Sequence, residues 1–198
     1  MNKKILSTAL LAFLLIGTSL IPTASVFAAE ETATSTDSEW MTEDDNTNVD
    51  EDTYTEEDVD PALVEEYEQA MAYIDQLTPL QNYEDTAINQ LHQLGVLNAS
   101  TRKHVYTKLN KTIIPNYTKF VKGMKKIKPE NEELIAIHKQ TLQAISLQLQ
   151  GMTLIQKSVS TTKINLKTLN TGIDKLTKGS AMIDEVYDYF NTYITKFQ

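Results

Sequence analysis

From Leu166 to Phe197 the apolar residues recur at three- and four-residue spacing without a break: Leu166, Leu169, Ile173, Leu176, Ile183, Tyr187, Phe190, Ile194 and Phe197, with Ser180 as a polar member. A strand cannot satisfy this pattern, because its side chains alternate with period two. A seven-residue period held this long gives a helix with a narrow apolar seam, which must be covered by partner helices in left-handed, coiled-coil-like packing. The rest of the chain is therefore read for those partners.

Three further helical segments follow from the same spacing. Asp60-Pro61 supplies an N-cap and a proline at the first helical position, and Leu63, Tyr67, Ala70, Ile74 and Leu77 recur behind it. Thr78-Pro79 is expected to kink or end this helix, with Thr78 and Gln81 forming a capping box for a continuation to Gly95. The next helix starts near Ser100 and carries Val105, Leu109, Ile113, Tyr117, Phe120, Met124 and Ile127 on one side, with a bend expected at Pro115. A turn at Lys128-Pro129 leads to Glu132 and Glu133, an acidic first turn that the helix dipole favours, and then to Ile135, His138, Leu142, Ile145, Leu149, Met152, Gln156 and Val159. The expected fold class is all-α: an antiparallel four-helix bundle with coiled-coil-like heptad seams over 61–198, a five-helix arrangement being the alternative if Pro79 breaks the first helix. In that topology the end of the last helix lies beside the start of the first. The core then tapers from Tyr67, Phe120, Tyr187, Phe190 and Phe197 at one end to Ala87, Gly151, Ser158 and Gly172 at the other.

The residues before Pro61 lack this periodicity. Lys3 and Lys4, an apolar run from Ile5 to Ile21, and small residues ending in Val26 and Ala28 have the layout of a secretory signal, so residues 1–28 are expected to be removed and the mature chain to begin at Ala29. The alternative is an uncleaved anchor, since the run reaches the lower limit for a membrane span. Residues 29–60 hold fourteen carboxylates and no Lys or Arg, which predicts a self-repelling, disordered acidic segment. No LPxTG-like motif is present, and covalent wall attachment is not expected. The layout resembles small exported helical bundles of Gram-positive bacteria, in architecture and export signal only. The expected location is outside the cell, extracellular or loosely held at the envelope.

Charge is distributed unevenly. The chain carries a formal −9, but between Thr86 and Pro129 there is no acidic residue and nine cations: Arg102, Lys103, Lys108, Lys111, Lys119, Lys122, Lys125, Lys126 and Lys128. At 100° per residue Lys108, Lys111, Lys119, Lys122, Lys125 and Lys126 fall at roughly 200–320° from Val105, opposite an apolar arc of about 120°. These six lysines are the candidate polyanion-binding residues. An anionic wall polymer, an anionic membrane surface or a protein partner would suit them. Nucleic acid fits less well, because Arg102 is the single arginine and guanidinium groups favour bidentate phosphate and base contacts. The acidic segment, tethered to the same chain, is a further candidate to contact the basic helix as spacer or gate.

Enzymatic signatures are absent from the sequence. There is no cysteine, no H-E-x-x-H pair among His92, His104 and His138, no G-x-S-x-G elbow and no glycine-rich phosphate loop. Asp44, Asn46, Asn48, Asp50 and Asp52 imitate the first positions of an EF-hand, but Val49 stands where the turn glycine belongs and Thr55 where the bidentate Glu belongs. No catalytic, cofactor or metal residues are therefore assigned. The expected function is a secreted, non-enzymatic interaction protein; a membrane-active helical protein and an enzyme of unrecognised type are the alternatives. His138 and Gln156 are read as register-setting polar seam residues, Tyr189 as an exposed ring, and Trp40 as an aromatic able to dock on the domain or a partner.

Overall fold

The computed structural model describes residues 60–197. The expected signal, the acidic segment up to residue 59, Trp40 and the EF-hand-like run all lie outside the described residues. Those described are 83 % helical among themselves, with no strand, and form four helical rods. These are α1 (Pro61–His92), the rod made of α2 (Arg102–Lys108), a π-helical turn (Leu109–Ile113) and α3 (Ile114–Met124), then α4 (Glu132–Ser158) and α5 (Leu166–Ile194), which ends in a 3-10 turn (Thr195–Phe197).

Caps start three of the rods. The Asp60 carboxylate accepts from the Ala62 amide at 2.9 Å, Asn131 Oδ1 from Leu134 at 2.8 Å and Asn165 Oδ1 from Thr168 at 3.0 Å, each satisfying an amide that the first helical turn leaves without a carbonyl. The chain turns out of α1 through Gly95, whose φ of 64° is the left-handed conformation that costs glycine least.

α1 runs unbroken through Pro79. Thr78 does not cap a new helix: its hydroxyl donates back to the Ile74 carbonyl at 3.1 Å. Proline removes the donor for the Asp75 carbonyl. Asp75, Thr78 and Pro79 are all exposed, so that carbonyl is left where water can reach it.

The second rod accommodates Pro115 by widening before it. The Ile114 amide bonds five residues back to Leu109, giving the π turn. Its consequence is a register effect. Val105, Leu109, Ile113 and Tyr117 are four residues apart and would drift by about 40° per step in a regular helix, yet all four are at most 2 % exposed. The wider turn takes up the excess rotation and keeps them on one face.

One apolar core draws on all four rods, including Tyr73, Ile88, Leu109, Tyr117, Met124, Leu134, Ile145, Met152, Leu176 and Phe190. α1 packs mainly on α3 and the π turn, and α4 makes the largest interface, with α5. That interface is glycine-lined. A Cβ on Gly151 would lie 2.7 Å from the Gly172 carbonyl oxygen and 2.8 Å from the Leu176 nitrogen, and one on Gly179 2.8 Å from the Ala144 oxygen. Two backbones this close leave no room for a side chain between them.

The buried stripe of α5 matches the apolar pattern in the sequence in part: Leu176, Ser180, Phe190 and Ile194 belong to both. Gly172, Leu176, Gly179, Val186, Phe190 and Tyr193 are inside, whereas Leu166 is 66 % and Ile173 40 % exposed. The helix is rotated so that its glycines, rather than Ile173, face α4.

At one end Lys196 Nζ bridges Glu66 at 3.2 Å and Glu133 at 2.6 Å, joining the end of α5 to the first turns of α1 and α4. Phe197 meets Tyr67 and Tyr193 edge-on at 5.7 and 5.4 Å, and Asn131 Nδ2 donates to the Tyr193 hydroxyl at 2.9 Å. At the other end Arg102 donates to the Val159 carbonyl at 2.7 Å, and Ala87, Gly151, Ser158 and Gly172 are buried.

Candidate polyanion interface

The second rod positions the lysines by burying its other side. Lys111, Lys119, Lys122, Lys125 and Lys126 are exposed. Lys119, Lys122 and Lys126, three and four apart, lie on one face, and Lys125 and Lys126 follow the C-terminus of α3, where the helix dipole favours cations. The π turn separates Lys108 and Lys111 from the other four, so the six do not follow the uniform rotation assumed from the sequence.

Two of the six are fastened to α1. Lys108 is half-buried and donates to Gln90 Oε1 at 2.7 Å, which removes it from the freely available cations. Lys119 remains exposed with its ammonium 5.2 Å from the centre of the Tyr83 ring, a cation–π contact that fixes its direction. Among the described residues the ion pairs are those of Lys196, so no carboxylate neutralises any lysine of the stripe. Five ammonium groups are thus available on one rod.

A second set of polar groups sits in the core, where sequence reading assigned one member. His138 is 6 % exposed, with Nδ1 3.1 Å from the Tyr73 hydroxyl and the two rings edge-on at 5.7 Å. Its Nε2 has no partner. Burial lowers the His138 pKa and raises that of Tyr73, keeping both neutral. Further along, the Tyr117 hydroxyl donates to Gln148 Oε1, and Gln148 Nε2 donates to Ser180 Oγ at 3.3 Å. Glu84 lies near Tyr117; desolvation first and the neighbouring Asp85 second push its carboxyl up to about 7. Gln156 leaves the seam to donate to Asn110 at 2.8 Å and is half-buried.

His92, His104 and Tyr189 are exposed, and so are Asp184, Glu185 and Asp188. Among the described residues no group of three His, Asp or Glu is placed to hold a metal ion, and no helix is long and apolar enough to cross a membrane. Comparison of the chain with models of known families, with curated proteins and with solved structures finds no match in any of the three.

Proposed function

We propose that this chain is exported, matures at Ala29, and acts as a non-enzymatic binding protein whose second rod engages an anionic surface polymer of the cell envelope. The supporting observation is the set Lys111, Lys119, Lys122, Lys125 and Lys126: five exposed cations on one rod with no ion-pair partner among the described residues. In this reading residues 61–198 are an antiparallel four-helix bundle carrying the interface, and residues 29–60 are a spacer or gate. The shared end of α1, α4 and α5 at Lys196 is consistent with that topology.

The test is retention of the intact protein on immobilised teichoic acid, compared with a variant carrying Glu at these five positions. Exposed charges contribute about 0–1 kcal/mol each to folding, so the variant should keep its helicity. It should lose retention. For the unmodified protein, five contacts to a flexible polyanion give a slope of log K against log salt of up to about −3.5, at ~0.7 per contact. Retention that survives the charge reversal, or that ignores salt, refutes the reading. Release of dye from anionic vesicles at the same lysines would instead favour a membrane-active protein.

A further inference from the structure

A groove between α4 and α5 is lined by Lys139, Leu142, Gln143, Ser146, Leu147, Lys178 and Met182, with a volume of about 670 Å³. Its floor is apolar and its two ammonium groups are exposed. Because Gly172 meets Gly151 and Gly179, further along α5, meets Ala144 and Gln148, earlier on α4, the two helices are antiparallel, and Lys178 stands near the level of Leu147. At 1.5 Å per residue it is about 12 Å along the groove from Lys139. The groove is therefore a short apolar trough with a cation at each end.

The sequence contains one stretch of matching chemistry. Residues 39–43 read Glu-Trp-Met-Thr-Glu, the single tryptophan and a methionine between two carboxylates. Extended, the two glutamates stand about 13 Å apart at ~3.3 Å per residue. Reach is sufficient. The start of α1 shares an end of the molecule with the start of α4 through Lys196, and Leu147 is roughly 21 Å along α4 from Glu133 by helical rise. The residues from 43 to 61 extend to about 59 Å.

We propose that residues 39–43 dock in this groove of the same chain, with Trp40 on Leu142, Leu147 and Met182, while the extended backbone turns Glu39, Met41 and Glu43 to the other side, from which the two glutamates pair with the long side chains of Lys139 and Lys178 at the groove's ends. The indole N–H finds an acceptor in Ser146 Oγ, whose own hydrogen is given to the Leu142 carbonyl at 2.6 Å. Tethering makes the contact intramolecular and raises the effective concentration of the segment at the groove. This part of the acidic segment is then held on α4 and α5 rather than on the second rod. The proposal does not depend on what those lysines bind.

Because Trp40 is the single tryptophan, its fluorescence in the intact protein reports the contact directly. Docking gives emission at shorter wavelength than in the urea-unfolded chain, and protection from acrylamide. Both should be lost in Met182→Asp, and in the double variant Lys139→Glu, Lys178→Glu, whose exposed positions leave folding intact. Raising salt to 1 M, where the screening length is about 3 Å, should weaken the charge pairing. Emission and quenching equal to those of the unfolded chain overturn the proposal. So does protection that persists in the groove variants, that disappears on reversing Lys119, Lys122 and Lys126, or that grows with protein concentration as docking on a second copy would require. Retention on teichoic acid, measured on the same variants, separates failure of this contact from failure of the polyanion reading.

Discussion

Replacing Gly151 with alanine tests the α4–α5 contact most directly. The new methyl lies 2.7 Å from the Gly172 oxygen and 2.8 Å from the Leu176 nitrogen. Both are backbone atoms, and neither can rotate away. Ordinary contact begins near 3.4 Å, so the helices must separate by about 0.7 Å, and overpacking of this kind costs about 1–3 kcal/mol. Alanine returns up to ~1 kcal/mol of helix propensity, leaving a net destabilisation of about 0–2 kcal/mol. Gly123→Ala is the control. There the methyl meets the end of the flexible Leu80 side chain, which can move, and the propensity gain should dominate. A third variant carries the argument further. A Cβ on Gly172 would be 3.0 Å from the Gly151 oxygen in the same gap, so once the helices have separated the second alanine costs less, and the double variant should be less destabilised than the sum by about 1 kcal/mol. Urea unfolding followed by far-ultraviolet circular dichroism measures the parent, the three single variants and the double. A Gly151→Ala variant stabilised as much as Gly123→Ala, or strict additivity of the pair, would refute the close backbone contact.

Three further outcomes follow from the burial and charge of single residues. Val186→Asp, at a position 5 % exposed, should cost more than about 3 kcal/mol or prevent folding, whereas Ile173→Asp, at one 40 % exposed, should cost less than about 1 kcal/mol; thermal unfolding ranks them, and the reverse order would restore the register read from apolar residues alone. Glu84 binds its proton more tightly folded than unfolded, so its destabilising effect is absent below about pH 4.5, grows as pH rises, and is complete above about 7; with partial water contact this is about 1–3 kcal/mol, and Glu84→Gln should remove that part of the pH slope in urea titrations. His138 acts in the other direction: its pKa is lowered by burial, so its contribution is intact above 6.5 and is lost as pH falls through and below that value; Tyr73→Phe, which deprives Nδ1 of its partner, should cost about 1–3 kcal/mol at neutral pH, measurable as a lower urea midpoint.

Helix content and approximate limits were legible because they rest on local chemistry: three- and four-residue spacing, Asp60 at a cap, and glycine after α1. The rotation of α5 was less so. Apolar spacing counts Ile173, and although the taper placed Gly172 in the core, spacing alone does not show that a glycine there allows two backbones to meet, the contact that decided which face turned inward. The π turn was hidden for a related reason. Pro115 announced a disturbance, but whether a rod bends or widens depends on what its neighbours bury, and here four residues at four-residue spacing gained a common face. Pro79 showed the converse, since with its freed carbonyl on the wet side nothing forced the helix to end. Of the six lysines, exposure was legible for five. Lys108 was not, because Gln90, which holds it, is eighteen positions away on another helix. The Tyr73–His138 and Tyr117–Gln148 contacts span 65 and 31 residues and leave no local periodicity.

The glycine-lined interface also orders assembly in time. α4 and α5 are consecutive, joined by the short run 159–165, and they form the largest interface in the molecule. Little chain entropy is lost in closing so short a loop, so the most extensive contact is also among the most local, and such contacts form early. α1 reaches Lys196 and Phe197 across more than a hundred residues of intervening chain and docks onto a hairpin already made. As this protein is synthesised its first rod emerges before the others and meets its main partner, the second rod, next, but its contacts with Lys196 and Phe197 have to wait for the last residues of α5.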